Sequence, residues 1–180
     1  LKCLDSTSLI DVAGQEKIVS KFARYNEKVY KDALTGAYNR RYFEEHIKKM
    51  TGSMGVAMID LDDFKLYNDI LGHNAGDAAL ETIGKIVQKS IDPDNILIRY
   101  GGDEFLLVVP NVKEDEFLKE LQQIRDKIHD AKVPEYAQLQ LSVSIGGVLS
   151  KEETIESAVC RADRLMNRAK NQKKIVVSEN

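Results

Sequence analysis

The chain has 180 residues, of which 43% are hydrophobic and 31% are charged, and it carries a formal net charge of -3. This length suits one main domain with a short appendage rather than two ordinary domains. The acidic balance argues against polymeric nucleic acid as a partner, because proteins that bind it hold the phosphate backbone through a broad basic field.

The cysteine and membrane patterns favour a cytoplasmic domain. Cys3 and Cys160 lie far apart without paired spacing, so neither a disulfide framework nor a thiolate metal motif is indicated. No run approaches the roughly 18 apolar residues that span a bilayer, and the first residues lack a signal peptide's apolar stretch. Because the chain begins with Leu1, we expect it to be part of a longer protein, whose upstream part could contain a sensory domain or a membrane anchor.

Residues 12–31 form the first predicted element, an amphipathic lead helix. Ile18, Phe22, Tyr25 and Val29 recur at spacings of four, three and four, which places them on one helical face. The same spacing fits a coiled-coil seam, so the helix either dimerises as a stalk or packs against the domain. We expect residues 1–31 to be a helical linker and residues 32–180 to be the domain.

The first half of the domain is predicted to contain one strand among helices. A helix is expected over residues 40–50 and a buried strand over residues 54–59. A second helix over residues 63–71 breaks at Gly72-His73-Asn74, and a third begins near Gly76 and ends before Pro93.

The second half begins with a predicted hairpin. The apolar runs 96–99 and 105–109 flank Gly101 and Gly102, a composition typical of a tight β-hairpin. A helix over residues 114–131, a strand over 139–148, a helix over 154–170 and a closing strand over 175–178 complete the chain. This order predicts an α+β domain with a mainly antiparallel sheet flanked by helices.

Two acidic clusters occur where predicted strands end. Asp60-Leu61-Asp62-Asp63 follows the first strand, and Asp103-Glu104 follows the two glycines. Either cluster by itself fits a solvated turn, but adjacent carboxylates beside an apolar strand need something that neutralises their repulsion. A hard cation such as Mg²⁺, held by a few carboxylates and substrate phosphates, is the economical candidate. The glycines lack side chains, so the backbone there can adopt positive φ and a bulky ligand can approach closely.

The run Arg99-Tyr100-Gly101-Gly102-Asp103-Glu104-Phe105 contains the signature of the GGDEF domain of diguanylate cyclases, and the chain resembles that family. Residues 32–41 are similar to the family's opening motif, with Ala37 and Tyr38 in place of the usual Leu and Pro. Residues 59–77 resemble the metal- and guanine-binding stretch, and residues 144–146 and 161–170 resemble later motifs. The resemblance implies a nucleotidyl cyclase-like fold with a ferredoxin-like core.

The implied activity is the condensation of two GTP molecules into cyclic di-GMP and two pyrophosphates. The resemblance gives the metal, Mg²⁺ with Mn²⁺ as an alternative, to the carboxylates of Asp60, Asp103 and Glu104 and to the main-chain carbonyl of Leu61. Asp103 and Glu104 are also the implied catalytic residues, with Asp103 as acceptor of the 3′-hydroxyl proton. A carboxylate bound to metal is a poorer base, so the metal role of Asp103 is the firmer expectation.

The resemblance assigns the reading of guanine to Asn68 and Asp77, whose side chains offer suitable donors and acceptors. For Asp77 the alternative is an N-cap of the following helix. The lysines near the last helix also fit helix-dipole compensation, and Lys173-Lys174-Ile175 replaces the family's usual Gly-Arg-Asn. Lys65 either orients phosphate or pairs with the acidic cluster. The remaining implied GTP contacts are Phe64, Lys65, His73, Gly101, Gly102, Lys170 and Lys174.

Catalysis in this family needs a homodimer, because each domain presents one GTP to the other. Many relatives have an inhibitory Arg-x-x-Asp site where this chain reads Asp92-Pro93-Asp94-Asn95, so we expect no product inhibition there. The alternative function is a catalytically silent GGDEF domain that binds GTP and regulates a neighbouring domain. An RNA-binding domain of similar element order is disfavoured, because the chain lacks a basic face and an aromatic-rich strand.

Overall fold

The computed structural model describes residues 20–21, 25, 28–171 and 176–178. Most of the predicted lead helix lies outside these residues, but Ser20, Lys21, Tyr25 and residues 28–30 are helical. The choice between a stalk and packing, and the boundary after residue 31, stay predictions. None of the described helices is both long enough and apolar enough to cross a membrane.

The described elements follow the predicted order closely. The helices are α1 (Arg40–Tyr42), continued by a π-helical segment (Phe43–Ile47), then α2 (Phe64–Leu71), α3 (His73–Ser90), α4 (Glu114–His129) and α5 (Ile155–Asn171). The strands are β1 (Met54–Leu61), β2 (Ile96–Arg99), β3 (Glu104–Pro110), β4 (Lys132–Val133), β5 (Tyr136–Gln140), β6 (Val143–Ser150) and β7 (Val176–Ser178).

A five-stranded sheet forms the centre of the domain, in the order β2-β3-β1-β6-β7. All neighbouring strands in it are antiparallel except β6 and β7, which are parallel. β4 and β5 form a separate two-stranded sheet. The α+β class and the mainly antiparallel sheet are therefore confirmed, with the βαββαβ succession of a ferredoxin-like core in β1, α3, β2, β3, α4 and β6.

The central strands are buried on both faces because helices cover both sides of the sheet. One hydrophobic cluster contains Ile59 and Phe105 together with Leu80 of α3 and Leu121 of α4. A second cluster on the opposite face contains Met58 and Leu106 with Leu165 of α5. Alternate residues of β1 and β3 thus enter different cores, which fixes the register of the strands and the direction in which their last residues point.

Gly146 allows α5 to lie directly against the sheet. A Cβ atom at this position would come 2.2 Å from the backbone nitrogen of Met166 and 2.3 Å from the backbone oxygen of Ala162. Backbone atoms cannot move aside as a flexible side chain could, so only glycine fits here. This close approach helps α5 to bring its C-terminal turn, with Lys170, to the end of β1.

The structure corrects three of the predicted boundaries. The strand expected over 139–148 is two strands, β5 and β6, and the short β4 was not predicted. The helix expected from Gly76 begins at His73, since Gly72, with a φ of 84°, is the residue that interrupts the helices. The helix expected over 40–50 changes after Tyr42 to a π-helical pattern, in which the Lys48 N–H donates to the Phe43 carbonyl at 2.9 Å.

Candidate active site

The two acidic clusters meet where β1 and β3 lie side by side. Asp60 and Glu104 are directly opposite each other in the antiparallel register. The Leu61 N–H donates to the Asp103 carbonyl at 3.1 Å, which ties the end of β1 to the turn before β3. The sheet therefore brings together the residues that the sequence separates by more than forty positions.

The site has a strong excess of negative charge, with one lysine inserted into it. Asp60 is 4% exposed, and its Oδ2 accepts a 2.8 Å contact from Lys170 Nζ. The pKa of Asp60 is raised to about 6, chiefly by burial; Lys170 opposes this rise, and the charges of Asp103 and Glu104 add to it. Burial also raises the pKa of Glu104, with Asp103 and Asp163 adding to the effect. Desolvation opposes the charged form of Lys170, but the Asp60 hydrogen bond and the nearby carboxylates prevail and raise its pKa.

This donor set fits a hard divalent cation that is completed by substrate. Within the described ranges, no three His, Cys, Asp or Glu side chains are gathered into a ready cage for metal. Mg²⁺ does not need one, because it is usually held by one or two carboxylates, waters and substrate phosphates. Burial, together with the repulsion from neighbouring carboxylates, disfavours the ionised forms of Asp60 and Glu104, and a bound cation would stabilise those forms.

The two signature glycines leave room in two different ways. Neither Gly101 nor Gly102 has a positive φ, so the left-handed backbone that glycine allows is not used at either position. A Cβ at Gly101 would come 2.4 Å from Glu104 Oε2, so the missing side chain leaves the room that the Glu104 carboxylate occupies. A Cβ at Gly102 would meet no atom within 4 Å, which leaves that peptide open to a ligand.

Arg99 holds the signature turn in place, a role that the sequence reasoning missed. Its guanidinium donates to the Gly102 carbonyl at 2.8 and 3.2 Å and to the Asp32 carboxylate at 3.2 Å. Asp32 also accepts from the Thr35 N–H at 2.9 Å and from the Thr35 hydroxyl at 2.6 Å. Burial alone would raise the pKa of Asp32, but Thr35 and Arg99 together lower it. Asp32 and Arg99 each begin a family motif, and this was the sequence feature from which their contact could have been predicted.

Asn68 and Asp77 lie on adjacent helices, α2 and α3. Asn68 Oδ1 is buried and accepts no hydrogen bond from the part of the chain that the structure describes. A Cβ at Gly76 would come 2.1 Å from this oxygen, so the Asn68 amide lies against the residue that precedes Asp77. A buried acceptor without a donor suits a ligand that brings an N–H group, as guanine does.

Asp77 is an exposed residue within α3 and not its N-cap, so the capping alternative is wrong. Its side chain lines a cleft of about 580 Å³, together with Leu34, Asn74 and residues of α3 and the β4–β5 hairpin. The carboxylate is therefore available to a ligand, because no capping hydrogen bond engages it.

The remaining predicted contacts lie around these residues. Phe64 is half-buried beside Gly76, and Lys65 is exposed in the first turn of α2. His73 is exposed as the first residue of α3. Lys170 contacts the Asp60 carboxylate, and Lys174 lies outside the described residues.

Comparisons with known proteins agree with the geometry. The family model described as "Diguanylate cyclase, GGDEF domain" matches residues 29–175. The probable diguanylate cyclase DgcT of Escherichia coli K12 is 32% identical over 162 residues, which cover 83% of this chain and 36% of DgcT. The chain thus spans about a third of the length of this curated relative.

Two solved structures have the same fold. The diguanylate cyclase SiaD from Pseudomonas aeruginosa, solved with its activator SiaC, matches with a TM-score of 0.78 at 27% identity, covering 92% of this chain and 67% of SiaD. The coiled coil and GGDEF domain of DgcB from Caulobacter crescentus, solved with c-di-GMP, matches with a TM-score of 0.82 and covers 93% of this chain and 94% of that one. At 22% identity the second likeness concerns the fold alone.

Proposed function

Because the chain belongs to the GGDEF family of diguanylate cyclase domains, we propose that it condenses two GTP molecules into cyclic di-GMP and two pyrophosphates at a homodimer interface, with Mg²⁺. The observation that carries the proposal is the meeting of Asp60, Asp103 and Glu104 at the ends of β1 and β3. The experiment that tests it is incubation with GTP and Mg²⁺, followed by chromatographic detection of cyclic di-GMP and pyrophosphate.

Divalent metal would be held by the carboxylates of Asp60, Asp103 and Glu104 and by the Leu61 carbonyl. When bound, it would offset the charge that develops on the α-phosphate during attack. Asp103 accepts the proton of the 3′-hydroxyl as that oxygen forms a bond to the α-phosphorus of the other GTP and pyrophosphate leaves. The 3′-hydroxyl of the other nucleotide then attacks the remaining α-phosphate in the same way. This second attack releases the second pyrophosphate and closes the ring. Lys170, already at the carboxylates, supplies positive charge beside the phosphates.

The homodimer is part of the proposal because one domain presents one GTP. Bringing two nucleotides into attacking distance supplies much of the rate of such a reaction. We propose that an upstream sensory or regulatory region, acting through residues 1–31, controls this encounter, and that the domain works in the cytoplasm, with a membrane anchor elsewhere in the protein as one arrangement. Polymeric nucleic acid has no role in the reaction.

Replacement of Asp77 by Asn should weaken GTP binding and relax the choice of base. The carboxylate can accept from both N1–H and the 2-amino group of guanine, whereas an amide presents a donor to one of them. We expect the GTP concentration at half-saturation to rise about 10-fold or more, since hydrogen bonds to charged groups contribute about 1.5–3 kcal/mol. Inosine triphosphate, which lacks the 2-amino group, should be affected less.

Binding titrations with GTP and inosine triphosphate measure this preference. Asp115→Asn, which changes an exposed acid in the first turn of α4, is the matched control and should bind GTP like the wild type. If the wild type bound the two nucleotides equally well and Asp77→Asn left both affinities unchanged, Asp77 would not be a guanine contact.

Product inhibition through the region of Asp92 should be absent. Asp92, Pro93 and Asn95 line a small cleft of about 280 Å³ in which Lys31, close to the Tyr38 ring, is the cation among the described lining residues. A lysine cannot offer the bidentate fork with which arginine binds phosphate. We expect calorimetry to detect no tight binding of cyclic di-GMP by the wild type.

A gain of binding provides the complementary test. The double change Asp92→Arg and Asn95→Asp restores the Arg-x-x-Asp pattern and should increase affinity for cyclic di-GMP by about 10-fold or more, because charge-assisted bidentate contacts are strong. The control Asp94→Arg/Asn95→Asp makes the same net change in charge, but it places the arginine at a neighbouring exposed position without the pattern. Tight wild-type binding that Asp92→Ala abolishes would contradict the prediction.

The second candidate function is a silent domain that binds GTP and regulates a neighbouring domain. The ion pair between Lys170 and Asp60 is the observation that favours it, because it engages a carboxylate that metal needs. Against it, the carboxylates and both guanine-contact residues are all present. A silent domain should bind GTP and form no cyclic di-GMP at any protein concentration.

A further inference from the structure

The turn that leaves β1 is fixed by backbone hydrogen bonds on both sides. The Leu61 N–H donates to the Asp103 carbonyl at 3.1 Å, towards the signature turn. The next N–H, that of Asp62, donates to the Ser142 carbonyl at 2.9 Å, on the side of β6. The peptides before and after the Leu61 Cα are therefore held to two different parts of the sheet, and the second of them includes the Leu61 carbonyl.

The Asp62 side chain adds a third attachment. Asp62 is only 9% exposed and forms no ion pair with any residue in the described ranges. Its Oδ2 accepts from the Ser142 hydroxyl at 2.8 Å, and its Oδ1 accepts from the Ser144 hydroxyl at 2.6 Å. Each carboxylate oxygen is thus engaged by one hydroxyl, which makes Asp62 an anchor and leaves Asp60 as the carboxylate that faces the charge cluster.

The location of this anchor relates it to the metal site. Ser144 is the residue directly opposite Asp60 in the pairing of β1 with β6. The turn continues into Asp63, a non-glycine residue with a φ of 58°, before α2 begins. Such a conformation persists only where the surrounding contacts determine it, and the attachments of Asp62 lie immediately before it.

We propose that Asp62, Ser142 and Ser144 are positioning residues, which hold the Leu61 carbonyl and the Asp60 carboxylate in the arrangement that divalent metal requires. The inference rests on the proposed function, since it concerns the metal of that reaction. Mg²⁺ accepts little deviation from octahedral geometry, so a small rotation of the Leu61 peptide would move one ligand out of place. Hydrogen bonds behind metal ligands commonly contribute 10- to 100-fold to metal affinity, a rough guide to the effect here.

Ser150 supplies a matched control. It lies on β6 like Ser144, it is equally buried at 0% exposure, and its hydroxyl donates to the Glu153 carbonyl at 3.3 Å. Its position at the opposite end of the strand is remote from the acidic cluster. Ser144→Ala and Ser150→Ala therefore each remove one buried hydroxyl from the same strand, but only the first should affect metal.

The experiment measures how much metal strengthens nucleotide binding. Calorimetry gives the affinity for 3′-deoxy-GTP, which lacks the attacking hydroxyl and cannot react, in excess Mg²⁺ and again in excess chelator. We expect the ratio of the two affinities to fall about 10-fold in the Ser142→Ala/Ser144→Ala double variant. The affinity in chelator should stay at the wild-type value, and Ser150→Ala should keep the wild-type ratio.

The inference would be overturned if the folded double variant had the wild-type ratio between its nucleotide affinities in Mg²⁺ and in chelator. If the double variant does not fold, the single variant Ser142→Ala gives the same test, because Ser142 is 8% exposed whereas Ser144 is fully buried. The expected fall in the affinity ratio is then smaller. If the nucleotide affinity of the wild-type protein did not depend on Mg²⁺, both this inference and the proposed reaction would be overturned. Metal-dependent binding without cyclic di-GMP formation from GTP would overturn the reaction only.

Discussion

Asp103→Asn should reduce the synthesis of cyclic di-GMP by at least about 100-fold, the lower range for loss of a general base, with loss of a metal ligand adding to it. Asp103 lies in the turn between β2 and β3, and its charge acts on both Asp60 and Glu104. An amide of the same shape can neither accept the 3′-hydroxyl proton nor offer two anionic oxygens to metal. The rate of product formation under saturating GTP and Mg²⁺ measures the effect.

The fold should survive this change, which keeps the result interpretable. The hydrogen bond that ties the turn to β1 uses the main-chain carbonyl of Asp103, and asparagine retains that carbonyl. Asp130→Asn, an exposed acid-to-amide change at the end of α4, is the matched control and should be fully active. Full activity of Asp103→Asn would show that the assignment of metal and base at this residue is wrong.

Joining two copies should raise turnover per domain by on the order of 100-fold at nanomolar protein concentration, because a short tether replaces a dilute encounter by a high effective concentration. Fusion of residue 1 to a parallel coiled coil provides the tether. Without it, the rate per domain should rise with protein concentration, since each product needs two domains. Rates followed over a dilution series of both proteins measure this dependence.

A mixed dimer separates the two bond-forming steps. When one domain of the tethered pair carries Asp103→Asn, only one 3′-hydroxyl retains its proton acceptor. We expect the linear dinucleotide to accumulate and cyclic di-GMP to be scarce. A rate per domain that is independent of protein concentration and of the tether would contradict catalysis between two domains.

The sequence predicted the fold well where patterns are local. The hairpin of β2 and β3 was recognisable from two apolar runs around Gly101 and Gly102. The break between β5 and β6 was not, because the alternation of apolar and polar residues continues through Leu141 and Ser142 without Gly or Pro. Ser142 leaves the strand because its carbonyl and hydroxyl both bind Asp62, a partner eighty positions away.

The sequence indicated which residues to propose for the site, but it did not indicate the contacts between them. The acidic clusters and the residues proposed to contact guanine were identified by their chemistry and by family motifs. The ion pair of Lys170 with Asp60 depends on the close packing of α5 against Gly146, and no local pattern indicates it. The link from Asp32 through Arg99 to Gly102 likewise joins segments that only the sheet brings together.

The most direct test of the central claim is the incubation of the tethered wild-type dimer with GTP and Mg²⁺, with products separated by chromatography and identified by mass. Our account predicts cyclic di-GMP with two pyrophosphates released for each molecule formed, and loss of this product in the tethered Asp103→Asn dimer. A tethered dimer that binds GTP but forms neither the linear nor the cyclic dinucleotide would contradict the account and leave the silent GTP-binding domain in its place.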